Sequence, residues 1–223
     1  MNHELKHRFT LLLYEKRETM AFYKLPIGIR IPKDNEYPNE YDVKSINDKR
    51  NSANIVEGFI IEKVSGEKFS YFVEVNIDAD KIWDIFCNLS SKLIDDVAYG
   101  ILGFKDGEPI LSRFTEKEKL INIFEKYKFE LTNDGYLEFG IAYYDENTLN
   151  EIYISSFKYM KIWTTRKELL VDILNNFRIK QVDNLQFIDE FPVVSEALSE
   201  NTFNGIRHYS EVLECIEREF RKL

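Results

Sequence analysis

Residues 136–164 read YLEFGIAYYDENTLNEIYISSFKYMKIWT, and the period of this stretch decides the fold class. Leu137, Phe139, Ile141 and Tyr143 recur at every second position, the spacing that puts side chains on one face of a strand. The segment Tyr136–Tyr144 is therefore read as a strand entered through the turn Asn133-Asp134-Gly135. Glu151–Phe157 and Tyr159–Thr164 follow as two more. Strands joined this closely pair antiparallel, because a parallel crossover needs a dozen or more residues.

The same grammar extends upstream. Val97–Phe104 and Pro109–Phe114 flank Asp106-Gly107, a dipeptide suited to the tight turns of hairpins. Ile55–Val64 and Phe69–Ile77 flank Ser65-Gly66-Glu67, and Phe9–Glu15 and Met20–Ile31 flank the polar Lys16-Arg17-Glu18-Thr19. Between the hairpins the period changes to that of helices. Asp78 is placed to cap a helix bearing Ile82, Trp83, Ile85, Phe86 and Leu89. Thr115-Glu116-Lys117-Glu118 and Thr165-Arg166-Lys167-Glu168 both have the form of a capping box. The first opens a helix with Leu120, Ile121, Phe124 and Tyr127, the second one with Leu169, Leu170, Ile173, Leu174 and Phe177. Tyr209, Val212, Leu213, Ile216 and Phe220 mark a last amphipathic helix. The expected class is α+β, a largely antiparallel sheet built from hairpins with three or four packed amphipathic helices. Residues 1–223 form a single domain in this reading, with a mobile loop at 32–54, where no apolar period is sustained. Trp83 and Trp163 belong to the core.

Composition narrows the class of function. Apolar residues make up 44% and charged residues 31% of the chain, the balance of a folded soluble protein. Two cysteines, Cys87 and Cys215, are too few for a disulfide scaffold and suit a reducing cytoplasm. The longest early apolar run, Phe9–Tyr14, is too short to span a membrane. The net charge is −9, and it is unevenly placed. Residues 129–157 hold six acids and residues 181–206 five, with no Lys or Arg in either stretch, so the rest of the chain is slightly basic. Acidity of this kind disfavours nucleic acid and membrane surfaces as partners and favours a basic protein.

Chemistry-bearing motifs are sparse. There is no Gly-x-Ser-x-Gly elbow and no glycine-rich phosphate loop. His3, His7 and His208 are read as surface residues, and the two cysteines as packing thiols. No cofactor, catalytic residue or metal-ligand set is expected. The paired acids Asp95-Asp96, Asp145-Glu146 and Asp189-Glu190, and the Asp42-Val43-Lys44 triplet, would serve a metal-assisted hydrolase or nuclease only if the fold made them converge. Tyr143, Tyr144, Tyr153 and Tyr159 lie in the strand-rich acidic half, where alternate rings face outward and suit a protein interface.

The segments FVEVNIDADKIWDIF, YISSFKYMKIWTTRKELLVDIL and LQFIDEFP, within Phe69–Glu190, resemble in general character the bacterial immunity proteins that neutralise polymorphic or contact-dependent toxins. The resemblance implies a binding protein that covers a basic toxin with an acidic, ring-bearing face, without turnover. The expected function is thus a cytoplasmic, non-catalytic protein-binding protein of the immunity or antitoxin kind. The residues expected to engage its basic partner are Tyr143, Tyr144, Asp145, Glu146, Asp189 and Glu190. A hydrolase, and a structural or regulatory subunit that oligomerises through the last helix, are the alternatives. The oligomeric state is left open.

Overall fold

A computed structural model describes residues 23–198 and 205–223. The strands are β1 (Ile29–Arg30), β2 (Gly58–Lys63), β3 (Tyr71–Asn76), β4 (Val97–Phe104), β5 (Ile110–Leu111), β6 (Thr115–Glu116), β7 (Leu137–Tyr144), β8 (Leu149–Ile154), β9 (Met160–Thr164) and β10 (Val194–Ser195). The helices are α1 (Val43–Ser52), α2 (Ile82–Leu93), α3 (Lys117–Glu125), α4 (Lys128–Asn133), α5 (Lys167–Asn176) and α6 (Tyr209–Phe220). The main sheet is antiparallel and open, in the order β2-β3-β9-β8-β7-β4-β5 with β6 on the end of β4. The chain is α+β, as its periodicities imply.

The meander β7–β8–β9 forms the centre of this sheet. Its apolar alternation sends Leu137, Phe139, Ile141, Ile152, Ile154, Met160 and Ile162 to one face, where all are fully buried. Helices α2, α3, α5 and α6 cover that face. Phe86 of α2 and Phe124 of α3 meet Phe139 edge-on, with ring centroids 4.8 and 5.7 Å away. The stripe Val212, Ile216 and Phe220 of α6 is buried in the same core, so its apolar side is already covered within the chain. Part of the opposite face is covered at the β8–β9 turn, where Leu185 and Phe187 pack on Tyr159. Nearby, the β1–β10 ribbon packs with Tyr23, Ile55 and Ile188.

Several elements differ from expectation, each for a local reason. Phe9–Glu15 lies outside the described residues, as do His3 and His7. Of the described part of Met20–Ile31 only Ile29–Arg30 is a strand, since Pro26 lacks an amide donor and the Lys24 amide donates to Asp78 Oδ1 (2.8 Å). That bond takes up Asp78, which caps no helix through its side chain. The segment 32–54 contains α1, capped by Asp42 accepting from the Ser45 amide (3.0 Å). Its only buried residue is Arg50, so no apolar stripe announces it. Neither capping box forms. Thr115 pairs with Ala98 in β6, and α3 starts at Lys117. At α5 the Arg166 amide donates to Thr164 Oγ1 (3.0 Å), while Thr165 makes no cap. Pro109–Phe114 narrows to Ile110–Leu111, and Glu151–Phe157 shifts to Leu149–Ile154. Trp83 and Trp163 are half-buried, Trp163 on the face away from the helices.

Candidate functional site

The β7–β8 hairpin ends in the turn Asp145-Glu146-Asn147-Thr148. Asp145 shapes it: Oδ1 accepts from the amides of Asn147 (2.8 Å) and Thr148 (2.7 Å), and Oδ2 from the Tyr143 hydroxyl (3.0 Å). Those amide bonds, helped by the tyrosine, hold the Asp145 carboxyl below the ordinary carboxylate range. The turn thus carries a fixed negative charge. Glu146 beside it is exposed and forms no hydrogen bond or ion pair with the described residues.

Antiparallel register then assembles an aromatic surface next to this charge. Tyr99 of β4 lies opposite Ala142 of β7, which brings its ring to the diagonal neighbour Tyr144. The two rings are stacked, 4.9 Å apart and 12° from parallel. Phe114, at the end of the β5–β6 connection, closes the group at 4.9 Å from Tyr99 and 6.0 Å from Tyr143. Tyr144 is 49% exposed and Phe114 43%, with Val97 and Leu111 also open to solvent. The Asp95–Arg166 ion pair (2.8 Å) stands near Tyr143. Tyr99 and Tyr144 lie on the face away from the helices and Tyr143 on the helix side, so the four rings, two of them widely exposed, wrap around one end of the sheet beside an ionised turn.

The second acidic pair is elsewhere. Asp189 and Glu190 sit in the short 3-10 turn Ile188–Glu190. Asp189 accepts from the Tyr159 hydroxyl (3.2 Å), and Glu190 accepts from the Phe187 amide (2.8 Å) and from Gln186 Nε2 (3.1 Å). Tyr159 follows the β8–β9 turn, so the whole length of β8 separates the pairs, about 20 Å at a strand's rise. The structure brings Tyr143, Tyr144, Asp145 and Glu146 together and leaves Asp189 and Glu190 apart from them. Tyr99 and Phe114, which complete the surface, have no signal of their own in the sequence, because only the pairing of β4 with β7 places them there.

Other candidate groups have structural employment. Asp42 caps α1, Asp95 holds Arg166, and His208 Nδ1 accepts from the Ser210 amide (3.4 Å) at the start of α6. Burial pushes the Cys87 thiol up to about 11, away from thiolate reactivity. Among the described residues no three His, Cys, Asp or Glu side chains are grouped to hold a metal ion. No described helix is long and apolar enough to cross a membrane. No protein family, curated protein or solved structure matches the chain.

Proposed function

We propose that this chain is a non-catalytic protein-binding protein, acting in the cytoplasm in the manner of an immunity or antitoxin protein. It presents the Tyr99–Phe114–Tyr143–Tyr144 surface and the Asp145–Glu146 turn to a basic partner. The observation that supports this reading is the exposed stack of Tyr144 on Tyr99 beside a carboxylate kept ionised by its own turn. Rigid rings desolvate at small entropic cost and supply most of an interface's free energy, while the adjoining charge steers a partner of opposite sign.

Affinity capture with the tagged chain from its native host, at low and moderate salt, should retain a stoichiometric basic protein. With that protein in hand, Tyr144→Ala combined with Phe114→Ala should weaken binding by at least tenfold, about 1.4 kcal/mol. Unchanged affinity in a folded double variant would refute the assignment of the surface.

A further inference from the structure

On the face away from the helices, one cross-strand row runs Phe72, Trp163, Glu151, Ala142 and Tyr99, each directly opposite the next on β3, β9, β8, β7 and β4. Phe72 and Trp163 form an aromatic pair at 5.1 Å, and Tyr99 carries the stacked Tyr144 at the other end. Neighbouring strands are about 4.8 Å apart, so Glu151 adjoins the Trp163 pair and lies about 10 Å from the strand of Tyr99. Between them stands Ala142, a small side chain that is itself only 5% exposed.

The next row defines the floor. Tyr153 lies flat across β7, where a Cβ on Gly140 would come within 2.9 Å of its ring, and its hydroxyl reaches Gly103. That hydroxyl donates to Glu138 (2.5 Å), so it is unavailable to Glu151. Among the described residues nothing forms a hydrogen bond or ion pair with the Glu151 carboxyl. Burial alone pushes it up to about 7. Lys161, the same-face diagonal neighbour on β9, is turned to the Tyr159 ring (5.3 Å) and Glu74, so this half-buried carboxylate in an aromatic setting is complementary to a cation that brings its own flat face.

We propose that Glu151, flanked by Trp163 and the Tyr99–Tyr144 stack, is a socket for the guanidinium of an arginine carried by the protein partner. A guanidinium meets both demands at once, since it binds a carboxylate through two N–H donors and stacks on an indole. An ammonium is drawn to both groups but has neither the fork nor the flat face. The socket continues the surface assigned above and names the contact that selects its partner, so it rests on that reading.

The test uses the full-length, nitrogen-15-labelled chain and three capped tripeptides, Gly-Arg-Gly, Gly-Lys-Gly and Gly-citrulline-Gly. Citrulline keeps the shape of arginine and lacks its charge. The indole N–H signal of Trp163, assigned with Trp163→Phe, should move with the arginine peptide, and at least fivefold higher concentrations of the other two should be needed. Glu151→Gln should abolish the response while leaving the rest of the spectrum in place. Because the guanidinium needs the ionised acid, apparent affinity should rise about tenfold between pH 6 and pH 8. Equal responses to arginine and citrulline, or an unchanged response in Glu151→Gln, would overturn the socket. An empty titration would overturn it too. If the Tyr144 and Phe114 substitutions still release the captured partner in that case, the broader surface stands and only the socket falls.

Discussion

Lys158, in the turn between β8 and β9, is a buried cation. It has no exposed surface and holds a left-handed backbone, φ +63°. Its Nζ donates to the Leu137 carbonyl, with Asp134 and Glu138 nearby. Burial outweighs those two carboxylates and lowers its pKa to about 7. The charged form is the one the fold disfavours, so the penalty is full below pH 7 and is relieved as pH rises toward the ordinary lysine value. Between pH 7 and 9 the native chain should therefore gain about 2 kcal/mol over Lys158→Met, measured by urea unfolding at both pH values. A difference that stays flat or runs the other way would disprove it. Glu151 works in the opposite sense, because its folded pKa is raised. Its cost is absent below the ordinary glutamate value and grows as pH rises to about 7. Glu151→Gln should be the more stable chain at pH 8, by about 3 kcal/mol, and should match the native chain near pH 4. Neither residue was legible in the sequence, since burial of a charge depends on what other strands place over it.

At the scale of elements, the central meander and α6 were legible because their apolar residues follow one period without interruption. The helix starts were not. A Thr-x-x-Glu pattern states only that a cap is available, and strand pairing can claim the threonine first, as β6 claims Thr115. At α5 the work falls one residue earlier. Thr164 Oγ1 donates to Asn150 Oδ1 (2.8 Å) inside the core and accepts from the Arg166 amide, tying the end of β9 to the start of the helix. Thr164→Val keeps the shape and removes both bonds, so it should cost about 2 kcal/mol in chemical unfolding. Thr165→Ala, at the position the pattern favours, should stay within about 0.5 kcal/mol of the native chain. Equal losses would mean that Thr165 caps the helix after all. The polar helix α1 was hidden for another reason: it buries an arginine and leans on an exposed aspartate cap in place of a hydrophobic stripe.

For the whole molecule, the sequence shows how much acid each stretch carries but not the distance between stretches, and that distance decides how the charge acts. Asp145 and Glu146 border the aromatic surface, whereas Asp189 and Glu190 lie about 20 Å away along β8. At physiological ionic strength the screening length is about 8 Å, so the distant pair is largely invisible to a partner docking on the rings. The near pair should dominate both encounter and bound state. Asp145→Lys with Glu146→Lys should slow association with the captured partner by at least tenfold at 0.15 M salt. Asp189→Lys with Glu190→Lys should change it less than twofold there, and should slow it measurably only when salt is lowered to about 0.01 M, where the screening length grows to about 30 Å. Stopped-flow association at the two salt concentrations separates the outcomes. If the distant reversal slows binding as much as the near one at 0.15 M, the partner spans the full length of β8 and the interface is far larger than the aromatic end of the sheet.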